Sequence, residues 1–213
     1  MAADFSYLIR IDGLEELLGD ITQLTDRQAK TIAQALNNTI QEARHIADRR
    51  IRADIAFPPG YLVQGNKGGK LAVRKTATPN DLQAAILAEF RPTSLARFSS
   101  QKNPGLARRA GGVSVSVKPG SVKFMKKAFL VKLRRGSALT ETAHNLGLAI
   151  RLKPGENVKN KKATPASKSN PKWKGVFLLY GPSVDQTFRK VAEQMGPEVK
   201  AFLEREYLRL MEE

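Results

Sequence analysis

The sequence predicts an α+β protein: a small, mostly antiparallel sheet packed against a long N-terminal helix and C-terminal helices, with long basic loops between them. Three observations predict this class. Apolar residues recur at helical spacing over residues 25–55 and 183–212. Between 82 and 180 the apolar runs are short, and they alternate or stay continuous as strands do. Stretches rich in glycine, proline and lysine separate these runs. At 213 residues, a single fold buries roughly 70% of its unfolded surface. Residues 1–213 are therefore expected to form one domain, with 14–55 helical, 60–80 and 154–172 as flexible basic loops, 82–180 as the sheet and 183–212 as C-terminal helices.

In chain order, Phe5–Ile11 alternates weakly and fits a short strand, and Asp12-Gly13 turns it into LEELLGDITQL. Leu14, Leu17, Leu18, Ile21 and Leu24 there fall at helical spacing. Thr25 with Gln28 forms a capping box. Behind it Ala29, Ile32, Ala33, Leu36, Ile40, Ala43, Ala47 and Ile51 trace one face of a helix running to about Ile55, where Phe57-Pro58-Pro59-Gly60 stops it. Leu82, Ala84, Ile86, Ala88 and Phe90 alternate as a half-buried strand. Val113, Val115 and Val117 alternate with serines, and Lys118-Pro119-Gly120-Ser121 has the proline and glycine positions of a type II turn. Ala128–Arg134 reads as a third strand with Phe129, Val131 and Leu133 inward and Lys132 and Arg134 outward; residues 147–153 read as a fourth. Seven lysines and one carboxylate lie from Lys153 to Lys174, a stretch too polar to offset its own ordering entropy.

The segment KWKGVFLLYGPSVDQTF condenses the plan. Val176–Tyr180 is continuously apolar and reads as a strand covered on both faces. At the junction Tyr180-Gly181-Pro182-Ser183, Gly181 is expected to supply an unusual φ, Pro182 ends the ladder, and Ser183 with Gln186 makes a second capping box. Val184, Phe188, Val191 and Met195 continue as a buried stripe until Gly196-Pro197, which is expected to break the helix. A final helix would carry Val199, Phe202, Leu203, Tyr207 and Leu210 inward.

The net charge is +16, and its distribution is more informative than its size. Residues 41–180 hold twenty-eight Lys/Arg against seven Asp/Glu, while residues 1–40 carry −3 and residues 181–213 carry −2. Such asymmetry points to a polyanionic partner or an acidic protein surface. The candidate contacts are Arg49, Arg50, Arg52, Arg74, Lys75, Arg108, Arg109, Lys126, Lys127, Lys132, Arg134, Arg135, Lys161 and Lys162. Phe98, Phe124 and Trp173 are scattered and make no stacking platform, so any nucleic-acid contact is expected at the backbone.

No catalytic residue, metal ligand set or cofactor site is expected. The chain has no cysteine, which excludes disulfides and thiolate chemistry. His45 and His144 stand alone, and GNKGGK lacks the spacing of a phosphate loop. Glu42, Asp48 and Asp54 are the densest carboxylates of the basic region, but they sit among arginines at ion-pairing distance along a helix, which argues against a nuclease site. No run approaches the ~18 apolar residues of a membrane span. The N-terminus lacks a signal peptide's basic region, so a soluble protein made in a cytoplasm is expected.

Several short words in a fixed order carry a family resemblance. They are Gly13-Leu14-Glu15-Glu16-Leu17, then Ala35-Leu36-Asn37-Asn38-Thr39 and Ala43-Arg44 on the long helix, then Leu95-Ala96-Arg97-Phe98. A valine strand, Lys126-Lys127-Ala128-Phe129 and the Leu179–Val184 junction complete them. This order resembles the minor tail protein Z family of tailed bacteriophages and prophages, the tail completion proteins, over residues 10–55, 85–135 and 171–213. Residues 60–80 and 154–172 carry no family motif. The resemblance implies a non-enzymatic virion protein, assembled in the host cytoplasm and placed at the head-proximal end of a long non-contractile tail. It implies a ring, six copies by tail symmetry, contacting the tail tube, terminator and neck proteins and supporting head–tail joining and DNA passage. The rival from the residues alone is a sequence-independent nucleic-acid-binding protein.

Overall fold

A computed structural model describes residues 25–65, 69–100, 111–133, 146–163, 171 and 174–212. The fold is α+β, with two long helices and small antiparallel sheets. The elements are α1 (Asp26–Asp54), β1 (Leu71–Lys75), β2 (Ala85–Ala88), a 3₁₀ turn (Leu95–Phe98), β3 (Val113–Val115), β4 (Lys123–Met125), β5 (Ala128–Lys132), β6 (Leu146–Arg151), β7 (Lys161–Ala163), β8 (Val176–Leu179) and α2 (Val184–Glu212). The strand and helix expected before Thr25 lie outside the described residues. Contacts divide the chain into two compact units where the sequence predicts one domain. A helical unit takes residues 1–51, 59–90 and 184–213; a β unit takes 52–58 and 91–183.

In the helical unit, α1 starts as its capping box predicts. The Thr25 N–H donates to Gln28 Oε1 at 3.0 Å, and the Gln28 N–H donates back to Thr25 Oγ1 at 3.4 Å. The predicted stripe is buried from Ile32 to Ile51, and Thr39, Arg44 and Ile46 join it. Ile32, Ala33, Ala35 and Leu36 pack with Ala77, Leu203 and Leu210. Polar pairs fix the register of the two helices: Asn38 Nδ2 donates to Glu206 at 2.6 Å, and Arg50 donates to Glu198 at 2.8 Å. The pairing order shows that the helices run in opposite directions.

Three expectations for this unit are corrected. The glycine-rich 60–80 segment is not wholly a loop, because Leu71–Val73 are buried and pair as β1 with β2. A bulge between Val73 and Lys75 turns Arg74 outward. The strand expected over 82–90 is only Ala85–Ala88, and Phe90 is 69% exposed. Past Ala88 the Glu89 N–H still binds the Lys70 carbonyl, but the Lys70 N–H goes to the Tyr61 carbonyl and the Glu89 carbonyl accepts from Asp185, so reciprocal pairing stops there. Finally, α2 runs unbroken for 29 residues with Pro197 inside it. Val191, Met195, Val199 and Leu203 are buried at an unbroken four-residue spacing. Packing on both sides of the proline thus outweighs a lost hydrogen bond and a ring clash that together cost ~3 kcal/mol.

The β unit has two sheets where the sequence suggested one. One is the hairpin β3-β4; the other is four-stranded, in the order β5-β6-β8-β7. The turn joining β3 and β4 closes as predicted, with Gly120 at φ +72° and the Ser121 N–H bound to the Lys118 carbonyl at 3.1 Å. The strand β6 is central and buried from Leu146 to Ile150. One face of this sheet packs Ala128, Leu130, Leu148, Ile150 and Leu179 with Val113 and Val115; the other packs Val131, Ala149 and Val176 with Phe129, Leu133 and Leu178. Phe129, Val131 and Leu133 of β5 pack inward as expected, and Ala128 and Leu130 add a second buried face that the sequence reading did not include.

The lysine-rich 154–172 segment is also corrected in part. Residues 154–163 are placed, and Lys161–Ala163 form the edge strand β7 against β8. Two anchors hold this polar run: Glu156 bound to Lys153 and Lys127, and a 3.0 Å bond from the Tyr180 N–H to the carbonyl of Asn160, which itself takes a left-handed φ of 57°.

Candidate functional site

Of the candidate contacts, Arg49, Arg50 and Arg52 lie at the end of α1, and all three are engaged within the chain. Arg49 pairs with Glu42 at 3.3 Å and Arg50 with Glu198 at 2.8 Å. Arg52 donates to the carbonyls of Phe57 at 3.0 Å and Pro58 at 3.4 Å, fastening the turn that follows the helix. Arg44, on the same helix, is 1% exposed. Its Nη2 donates to the Gly65 carbonyl at 2.8 Å, while Nε and Nη1 have no hydrogen-bond partner among the described residues. Burial pushes its pKa down, and Asp48 opposes that shift. The signal was present in the sequence, because Arg44 falls four residues after Ile40 on the apolar stripe. Arg74 is exposed, and Lys75 is held by Asp81 at 2.7 Å and Gln83 at 2.9 Å.

In the β unit, Lys126 and Lys162 are exposed. Lys127 pairs with Glu156 at 2.7 Å; that bond, more than any other influence, holds the Glu156 carboxyl below the usual range. Lys161 sits 4.8 Å over the Phe177 ring, a cation–π contact across the β7-β8 pair. The backbone of Lys132 lies in β5. Arg108, Arg109, Arg134 and Arg135 lie outside the described residues, as does Trp173. Thus Lys126, Lys127, Lys161 and Lys162 are brought into one unit, and the arginines of α1 mostly are not.

The junction is structural, for a reason other than the one expected. Gly181 has no positive φ. Instead, a Cβ there would sit 3.1 Å from the Phe98 ring and 3.3 Å from Leu95. The Gly181 N–H donates to the Thr93 carbonyl at 2.7 Å, and the Thr93 N–H returns to Pro182 at 3.4 Å. Tyr180 bridges to Ser94, and Ser183 is buried just before α2 begins at Val184. The glycine therefore suits a tight fit against two side chains, where a Cβ would force Phe98 or Leu95 to shift by a few tenths of an ångström.

The division into units sharpens the charge pattern. The β unit holds twenty-one Lys/Arg against three Asp/Glu, a net +18. The helical unit holds fifteen against seventeen, a net −2. The three acids of the β unit are Asp54, Glu141 and Glu156, and Glu156 is already engaged by Lys127. A field of this sign attracts phosphate or clustered carboxylates over a Debye length of ~10 Å. Among the described residues no group of three or more His, Asp or Glu gathers at metal-binding distance, and no helix is long and apolar enough to cross a membrane.

Comparison with protein-family models, with curated proteins and with solved structures finds no match to this chain.

Proposed function

We propose that this chain is a structural assembly protein that docks through its basic β unit. The observation that carries this reading is the confinement of charge: a net +18 on one unit beside −2 on the other. Guided by the order of words in the sequence, we assign it as a tail completion protein of a long-tailed bacteriophage or prophage. In this reading it is not an enzyme. It forms a ring of six copies at the head-proximal end of the tail, meets tube, terminator and neck proteins, and supports head–tail joining and DNA passage. Paired helices with satisfied polar contacts suit a rigid subunit body, and a cationic unit suits contact with DNA or acidic neighbours. Purified chain mixed with tail tubes and terminator rings should co-sediment and appear as rings in negative stain. Monomers alone, with no association, would overturn the assignment.

The same charge favours a second reading, a free protein that binds nucleic acid without regard to sequence. Its affinity for duplex DNA should fall steeply between about 50 and about 200 mM salt. Equal affinity at both salts removes this reading.

A further inference from the structure

The hairpin β3-β4 is asymmetric. Its inner strand is fully used: Val113 and Val115 are buried, Val115 bridges to Ser99, and Val117 accepts a 2.8 Å bond from the Ala56 N–H. Among the described residues, β4 pairs with β3 alone. By the two-residue alternation, Lys123 and Met125 share a face with Val113 and Val115, and Met125 packs on the core. Val122, Phe124 and Lys126 therefore share the outer face. Val122 is 70% exposed and Phe124 is 59% exposed. They stand beside small neighbours: Phe124 is opposite Ser114, and its ring lies where a Cβ on Gly112 would be, 2.5 Å away. Lys126 shares that outer face, and Lys118 and Lys123 are exposed in the same hairpin.

An unpaired edge with two exposed apolar side chains is a template for an added strand. Its lysines exclude a second copy of the same hairpin, because like charges would oppose one another. They call for a strand that is apolar and flanked by acids. This chain carries one. Phe5, Tyr7, Leu8, Ile9 and Ile11 lie between Asp4 and Asp12, and Glu15, Glu16 and Asp20 follow, against Arg10 alone. Twenty-four residues precede Thr25, a length that spans up to about 80 Å when extended. We propose that the outer edge of β4, with Val122 and Phe124, receives the Phe5–Ile11 segment of a second copy as an added strand. The contact is head-to-tail and uses two different surfaces, so it links copies in series, which closes into a ring when the rotation permits. It deepens the reading of a self-assembling docking protein and rests on it. Nucleic acid is the weaker occupant, because Val122 offers nothing to a phosphate or a base and Phe124 is a lone ring.

The chain has no cysteine, so introduced thiols report contacts without background. Full-length tagged Leu8→Cys chain is mixed with untagged full-length Lys126→Cys chain under mild oxidation. The disulfide-linked heterodimer should exceed that formed with Lys200→Cys, an exposed site on α2, by about tenfold, since docking raises the effective concentration of the two thiols. Adding Phe124→Ser to the Lys126→Cys chain should cut the yield about fivefold, with an unchanged circular-dichroism melt because Phe124 is exposed. Yield no higher than the Lys200→Cys control overturns the proposal. So does a Leu8→Cys/Lys126→Cys double variant that closes within its own chain while mixed chains give no heterodimer. A Phe124→Ser variant that keeps its cross-link but loses oligonucleotide affinity reassigns the face to nucleic acid and also overturns it. Failure of the cross-link leaves salt-dependent docking of the β unit standing, since the co-sedimentation and salt measurements test that separately.

Discussion

The helical unit and the β unit handle charge in opposite ways. In the helical unit cations meet anions: Arg49 with Glu42, Arg50 with Glu198, Lys70 with Glu89, Lys75 with Asp81, Arg189 with Asp185 and Arg209 with Glu206. In the β unit Lys127 has Glu156, and there are too few carboxylates for the other cations. Exposed pairs contribute only ~0–1 kcal/mol each, so the difference is not chiefly one of stability. It separates a nearly charge-balanced packing body from a unit whose cations outnumber its acids by eighteen.

The comparison can be broken most severely through the sheet core. Leu148 lies between its register partners Leu130 and Leu179 and is fully buried, so Leu148→Ala should cost about 2–5 kcal/mol. Hydrogen exchange should speed up at Leu146–Arg151 while Ile32–Ile51 amides keep their protection. Equal loss in both units would show that they unfold as one. Pro197→Ala restores an N–H inside α2 at an exposed position and should stabilise the helical unit by up to ~3 kcal/mol, read as a raised Tm. Next in size is binding. Lys126→Glu with Lys162→Glu should weaken duplex binding about tenfold and lower the log–log salt slope by about 2, whereas Lys190→Glu with Lys200→Glu in the helical unit should leave both nearly unchanged. Fluorescence titration at several salts reads the contrast.

The smallest effect concerns acid. Two bonds from Arg209, then one from Asn38, pull the Glu206 carboxyl from its ordinary 4.5 to about 2. A folded value below the unfolded one means that the contribution is complete above pH 4.5 and is lost as pH falls through about 2. Glu206→Gln should flatten that part of the stability profile between pH 4.5 and 2 and leave the β unit unaffected.

Legibility followed the range of the forces involved. The start of α1 was readable because Thr25 and Gln28 satisfy orphan amides within one turn. The Lys118–Ser121 turn was readable for the same local reason. The continuity of α2 through Pro197 was not, because it is decided by partners such as Leu36 and Ala77, distant in sequence. Nor was β7, whose lysines gain a ladder only when β8 lies beside them. Likewise, Gly181 looked like a φ requirement and proved to be a matter of room beside Phe98 and Leu95. For the candidate surface, the sequence located the positive charge but not how much of it was already spent. That depended on which acids folding brings to Arg49, Arg50 and Lys75.

Strand order in the four-stranded sheet has a consequence for synthesis. The last of the four strands to leave the ribosome, β8, fills the slot between β6 and β7. A nascent chain that stops at Ala163 can hold the β5-β6 hairpin but offers β7 nothing to pair with. The four-stranded sheet is therefore complete only once Val176–Leu179 has been translated and pairs with both β6 and β7.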